Sequence, residues 1–91
     1  MSVLITMQVG PVDWEKFEQA TAWVNGQPAP GMVSRKVYRA EDNPNMVLVI
    51  EEWDSHDAFH KATDLYGDEF NRRAGTAGNS WQDRVWTAPA R

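Results

Sequence analysis

The segment MVLVIEEW, residues 46–53, most constrains the fold of this chain. As a β-strand it places Val47 and Val49 on one face and Leu48 and Ile50 on the other, because successive side chains of a strand point to opposite faces. Both faces of the sheet that contains this strand therefore need cover. Two helices can cover only one of them, so an apolar patch remains on the second face and requires a partner surface.

The rest of the chain predicts a strand–helix–strand–strand–helix–strand order. The predicted strands span residues 2–9, 31–40, 46–53 and 80–87, and the predicted helices span residues 13–24 and 55–73. Asp13 and Ser55 are residue types that favour helix N-caps, and Gly75 suits a helix C-terminal cap. This βαββαβ order is the ferredoxin-like α+β arrangement, a four-stranded antiparallel sheet with two helices on one face. We expect residues 1–91 to form one domain.

Composition narrows the classes of partner. The 91 residues include no cysteine, the formal charge is -4, and the basic residues are scattered, which argues against a nucleic-acid partner. The N-terminal segment has no basic stretch and only a short apolar run, so we expect no signal peptide, no membrane association and a cytoplasmic location. A domain of this size has a marginal core. A second copy of the same sheet is the simplest cover for the free face, and we predict a homodimer through the sheet faces.

Few residues of this chain suit a metal or a cofactor. His56 and His60 have no nearby carboxylate cluster that faces the same way, which makes a poor metal site. The chain also has no Gly-rich phosphate loop and no flavin or nicotinamide fingerprint. We therefore predict that the protein binds no metal and no cofactor.

The two glutamates that end the third strand predict cross-strand charge pairs. If residues 42–45, DNPN, form a four-residue turn, Lys36 lies opposite Glu51 and Arg35 opposite Glu52. Such pairs contribute about 0.2–1 kcal/mol each to sheet stability.

The order of elements, the chain length and the stretch EEWDS, residues 51–55, resemble the antibiotic-biosynthesis-monooxygenase-like group of dimeric α+β barrels. The resemblance covers essentially the whole chain, and it implies that Trp53 lines a substrate pocket. A packing role for this large aromatic side chain is the open alternative.

One branch of this group, the actinorhodin type, has further pocket residues. At the positions of its asparagine and tyrosine this chain has Val49 and Phe59, and its arginine corresponds to Arg73. Tyr66 and Tyr38 are additional aromatic candidates for the pocket. Helical spacing places Arg73 on the same stripe as Phe59 and Tyr66, where a guanidinium would favour a phenolate or an enolate.

The resemblance implies three functions. The first is a cofactor-independent monooxygenase that acts on a small aromatic, quinol or polyketide-like compound, with Trp53 and Arg73 as catalytic candidates. The second is a non-catalytic ligand-binding or structural homodimer, which the loss of polar side chains at Val49 and Phe59 favours. The third is a cyclase or isomerase of an enolisable ketone. The haem-degrading branch is set aside, because Ala62 and Arg72 occupy the positions of its tryptophan and histidine.

Overall fold

The structure is a computed structural model that describes residues 2–89. In chain order, its elements are β1 (Val3–Val9), α1 (Trp14–Asn25), β2 (Met32–Arg39), β3 (Val47–Trp53), α2 (His56–Ala74) and β4 (Gln82–Trp86). The strands form one antiparallel sheet in the order β2-β3-β1-β4. The ferredoxin-like prediction is confirmed, and the bounds of every element lie within two residues of the predicted ones.

The core lies between the sheet and the two helices. Ile5, Val9 and Val47 supply its sheet side and Phe17 of α1 supplies its helix side, each with an exposed fraction of 1% or less. Phe70 of α2 meets the edge of the Phe17 ring at a centroid distance of 5.4 Å. Both helices therefore cover one face of the sheet, as the alternation of apolar residues in β1 and β3 predicts.

The ends of the helices follow the predicted capping chemistry. The Asp13 side chain accepts a hydrogen bond from the backbone N–H of Lys16, and Ser55 accepts one from the backbone N–H of Ala58 at 3.1 Å. Gly75 ends α2 with a φ of 73°, a left-handed conformation that glycine adopts without steric cost.

Gly31 determines how closely α2 approaches the sheet. Its φ is 93°, and a Cβ atom at this position would lie 2.7 Å from Cβ of Ala58. Its carbonyl oxygen accepts a hydrogen bond of 2.7 Å from the backbone N–H of Asp54, which lies in the short connection between β3 and α2. This contact turns the chain sharply, so that α2 folds back over the sheet.

The register of the β2–β3 hairpin differs from the predicted one. Arg35 lies opposite Glu51 and Lys36 lies opposite Ile50, so the prediction that Lys36 faces Glu51 and Arg35 faces Glu52 is wrong by one residue. A shift of one residue moves every side chain to the other face of a sheet. Arg35 therefore lies on the helix-covered face together with Glu51.

The length of the hairpin loop explains the shift. The backbone N–H of Ala40 donates to the carbonyl of Met46 at 2.9 Å, which leaves residues 41–45 as the loop. Two successive turns build this loop, one closed from Asn43 to Ala40 and one from Met46 to Asn43. Glu41 thus belongs to the loop, whereas a four-residue turn would have paired it with Met46.

The second face of the sheet carries exposed apolar side chains. Leu4, Tyr38 and Trp86 have exposed fractions of 39%, 49% and 47%, and Leu48 and Ile50 lie half-buried between them on β3.

Within residues 2–89, neither helix is long and apolar enough to cross a membrane.

Candidate functional site

A cavity of about 260 Å³ lies between the helix-covered face of the sheet and α2. All four strands or their flanking residues and both helices contribute to its walls, which are mostly apolar. Its aromatic wall residues are Trp53, Phe59, Tyr66, Phe70 and Trp81. An apolar, aromatic-walled cavity with a few polar groups is the usual form of a small-molecule site.

One stripe of α2 forms the helical wall of this cavity. The residues that line it occupy positions 59, 62, 63, 66, 67, 70 and 71. These intervals of three and four residues place their side chains on one face of the helix. Ala74, which is 1% exposed, continues the stripe into the core.

Trp53, the last residue of β3, forms the inner wall. Its side chain is 1% exposed, and its ring meets the edge of the Phe59 ring at 6.0 Å and 71°. Its indole N–H donates a hydrogen bond of 2.9 Å to Oε1 of Glu51. Trp53 thus packs in the core and also lines the cavity, and its role in binding a substrate stays a prediction.

A buried ion pair also lines the cavity. Nε of Arg35 lies 2.6 Å from Oε2 of Glu51, and the two side chains are 13% and 7% exposed. Arg35 also donates to the side-chain oxygen of Asn25. A guanidinium carries more N–H groups than these two hydrogen bonds use, so it retains donors for a ligand. Glu51 accepts from both Arg35 and Trp53, and it therefore orients both side chains.

Asp83 of β4 is a second carboxylate on the cavity wall. It lies opposite Met7 of β1, on the same face of the sheet as Glu51, and much of its side chain stays exposed to solvent. Burial of the remainder raises the pKa of Asp83, and the negative charge of Glu51 raises it further. Both causes disfavour the charged form of this carboxyl.

The model of the antibiotic biosynthesis monooxygenase family matches residues 1–72, most of the chain. The chain belongs to this family. The match ends within α2, so β4 and Asp83 lie outside the matched residues. No curated protein matches the chain.

Solved structures share the fold of this family member. SnoaB, a cofactor-independent oxygenase from Streptomyces nogalater, is 24% identical over 99% of this chain and 95% of its own, with a TM-score of 0.71. A proposed antibiotic biosynthesis monooxygenase from Caulobacter crescentus CB15 is 16% identical over 97% of this chain and 90% of its own, with a TM-score of 0.80. A third, from Nitrosomonas europaea, is 13% identical over 97% and 91% of the two chains, with a TM-score of 0.75.

The structure brings four of the predicted site residues together. Trp53, Val49, Phe59 and Tyr66 all line the cavity. The Tyr66 hydroxyl donates to the carbonyl of Pro28 at 2.7 Å, so its contribution to the wall is mainly its ring.

Arg73 and Tyr38 lie elsewhere, which corrects their predicted placement. Arg73 lies outside the lining described for the cavity: its Nε is 2.7 Å from Oε2 of Glu69, and its guanidinium stacks on Trp23 at 4.5 Å. The buried stripe continues through Ala74, so position 73 falls on its flank. Tyr38 pairs with Leu48 on the second face of the sheet, away from the cavity.

Three charged residues of the cavity wall were not predicted as site residues. The alternation of β3 places Glu51 on the same face as Trp53, and this signal could have identified it. The position of Arg35 beside Glu51 depends on the register of the hairpin, and this register was predicted incorrectly. Asp83 could have been found only by pairing β4 with β1, because the exposed β4 has no clear apolar alternation.

The two histidines lie on the outside of α2. Both His56 and His60 are exposed, with ring centroids 4.3 Å apart. Within residues 2–89, no three His, Asp or Glu side chains form a cluster suited to a metal ion. The absence of a metal or cofactor stays a prediction from the sequence.

Proposed function

We propose that the protein is a cofactor-independent monooxygenase that oxidises a small phenol, quinol or related polyketide-like compound with dioxygen. The observation that carries this proposal is the aromatic-walled cavity that contains a buried ion pair and a further carboxylate. Membership of the family supports it, as does the fold shared with SnoaB, which is described as a cofactor-independent oxygenase.

The volume of the cavity favours small substrates. An apolar cavity of about 150 Å³ is sufficient for benzene, and the cavity here measures about 260 Å³. Drug-sized ligands occupy pockets of roughly 300–1,000 Å³. One ring or two fused rings therefore fit within the walls, and a third ring would have to extend through the mouth.

The proposed chemistry requires an electron-rich, deprotonated substrate that passes electrons to dioxygen. For a methylene carbon next to a carbonyl, the balanced reaction is R₂CH₂ + O₂ → R₂C=O + H₂O, so one oxygen atom enters the product and the other leaves as water. The protein contributes positioning and charge stabilisation. Trp53, Val49, Phe59 and Tyr66 hold the ring system. Arg35 takes the charge-stabilising role that the sequence suggested for Arg73.

Dioxygen uptake without added metal, flavin or nicotinamide tests this proposal. We expect the protein to accelerate dioxygen consumption with 1-naphthol or anthrone, with a chelator present, above the rate without protein. Ala62→Leu should suppress the acceleration, because it adds bulk to the cavity wall without changing a charge. Ala22→Leu on the exposed face of α1 is the matched control and should retain the rate.

The outcome that contradicts an oxygenase is an uptake rate equal to the background with every naphthol, quinol and anthrone tested. An equal loss of activity in Ala62→Leu and Ala22→Leu would instead contradict the location of the site. Thermal-shift measurements on the same compounds show whether they bind at all.

A second candidate function is ligand binding without oxidation. The side chains of Val49 and Phe59 favour it, because they line the cavity with apolar groups where the resembling oxygenases have an amide and a hydroxyl. This function predicts that naphthols stabilise the protein in a saturable way in thermal-shift measurements. It also predicts a rate of dioxygen uptake equal to the rate without protein.

We further propose that two copies of the protein associate through the second face of the sheet. Leu4, Ile50 and Trp86 form an apolar surface there that the helices do not cover. Ile50→Lys should shift the sedimentation coefficient from dimer to monomer, whereas Leu65→Lys on the exposed side of α2 should not. A well-folded monomer of the unmodified chain at micromolar concentration would contradict the dimer.

A further inference from the structure

The charges on the cavity wall do not balance. Arg35 and Glu51 neutralise each other at 2.6 Å, and Asp83 remains as a carboxylate without a cation of its own on the wall. Among the lining residues that the structure describes, Arg35 is the one cation. A preformed anionic ligand beside Asp83 would therefore meet a negative charge that no cation of the described wall balances.

The cavity wall holds few charged groups besides Asp83. Glu51 of β3 is the one whose charge acts on Asp83, Met7 of β1 lies opposite Asp83, and Arg35 lies on β2 at the other edge of the sheet. The described helix residues that line the cavity carry no charge, and the one titratable group among them, the Tyr66 hydroxyl, is bonded to a backbone carbonyl. Asp83 is thus a partly exposed carboxylate on the β4 side of a mostly apolar cavity.

We propose that Asp83 is the general base that takes the proton of a neutral phenol or enolisable ketone bound in the cavity. The O–H or C–H bond of the ligand breaks, the proton moves to a carboxylate oxygen of Asp83, and the electron pair stays on the ligand. The step needs no oxidant, and its product is the phenolate or enolate that the proposed oxidation consumes. The net charge of the site stays the same throughout the transfer.

The environment of Asp83 suits this role. Burial, followed by the charge of Glu51, raises the pKa of Asp83 above its ordinary value. A carboxylate of raised pKa is a stronger proton acceptor than an ordinary one, which suits a general base. Asp83 lies beyond residues 1–72, the part of the chain that the family model matches.

The first test uses a dye and requires no turnover. 4-Nitro-1-naphthol is a two-ring phenol whose absorbance distinguishes its neutral form from its anion. Bound to the unmodified protein, it should ionise at a higher pH than the free dye, because the Asp83 carboxylate opposes a second negative charge. Asp83→Asn should lower the ionisation pH of the bound dye by about one unit. Asp64→Asn on the outer side of α2 is the matched control and should leave it unchanged.

Equal ionisation pH values for the dye bound to Asp83→Asn and to the unmodified protein would overturn the proposal. A dye that does not bind at all would contradict both the base and the cavity as a ligand site.

The second test uses the pH dependence of the oxidation, and here the inference rests on the proposed function. The ionised carboxylate is the active form, so kcat/KM should fall as the pH falls through the raised pKa of Asp83. Asp83→Asn should lower kcat/KM about 10²–10⁴-fold and remove this acid limb, and Asp83→Glu should restore the limb. An acid limb that persists in Asp83→Asn would overturn the role. If no compound is oxidised, the dye experiment still decides whether Asp83 lies close enough to a bound phenol for its charge to act on it.

Discussion

The buried pair of Arg35 and Glu51 gives a prediction whose magnitude can be worked from the structure. Arg35→Gln removes the cation and leaves a carboxylate that is 7% exposed. The remaining partner of that carboxylate is the indole N–H of Trp53, and Asp83 adds a second negative charge on the same sheet face. We therefore expect the variant to lose much more stability than the removal of a surface charge would cause.

The expected loss is about 3–5 kcal/mol, the usual cost of an uncompensated buried charge. At 2.6 Å and an effective dielectric constant of about 20, the attraction between the two charges is roughly 6 kcal/mol. In the native protein this attraction offsets the desolvation of both ions, so the net contribution of the pair is small. The variant keeps the desolvation cost of Glu51 and loses the attraction.

Urea unfolding at a fixed protein concentration measures this loss. With an m-value of about 1–2 kcal/mol/M, the midpoint should fall by roughly 1.5–5 M. The double variant Arg35→Gln/Glu51→Gln should recover most of the loss, because its amide oxygen still accepts from Trp53 and no charge is left buried. Arg72→Gln, which removes an exposed partner of Glu69, is the control and should leave the midpoint nearly unchanged.

A free energy of unfolding for Arg35→Gln within about 1 kcal/mol of that of the unmodified protein would refute this reasoning. Such a small loss would mean that water reaches Glu51 freely. A double variant no more stable than the single variant would refute it as well, because the lost stability would then come from packing rather than from charge.

Two further predictions concern the backbone and the displaced arginine. Gly31→Ala should lower the free energy of unfolding by about 1–3 kcal/mol, because residue 31 has a positive φ and its Cβ would clash with Ala58. Gly78→Ala is the control, because a Cβ atom at residue 78 would meet nothing within 4 Å. Equal melting temperatures for the two variants would contradict the predicted strain at residue 31. Arg73→Ala should leave the dissociation constants of a naphthol and of its methyl ether unchanged, because Arg73 contacts Glu69 and Trp23 outside the cavity. A selective loss of naphthol binding in calorimetry would contradict this placement and would show that Arg73 contacts the ligand.

Local patterns predict this fold well. The alternation in β1 and β3 assigns the faces of the sheet, and the caps at Asp13, Ser55 and Gly75 mark helix ends that the structure confirms. These features depend on residues that are close in sequence, so the amino-acid sequence alone is sufficient to predict them.

The charged part of the site depends on distant contacts and was harder to predict. The hairpin loop has five residues, 41–45, instead of the four that the charge pairing assumed, and this difference of one residue brings Arg35 rather than Lys36 to Glu51. Arg73 shows the same sensitivity on a helix, where a shift of one position moves a side chain by about 100° around the axis. Asp83 lies on the cavity wall only because the last strand, β4, pairs with the first, β1.

The location of a bound aromatic ligand tests the central claim, that the cavity between the sheet and α2 is the functional site. In a crystal of the protein soaked with 4-bromo-1-naphthol, the anomalous signal of bromine marks the ligand directly. We predict a bromine in van der Waals contact with the ring of Trp53 or Phe59 and a hydroxyl that faces Asp83 or Arg35. Bromine found only on the second face of the sheet, beside Leu4 and Trp86, with the cavity empty, would contradict the account.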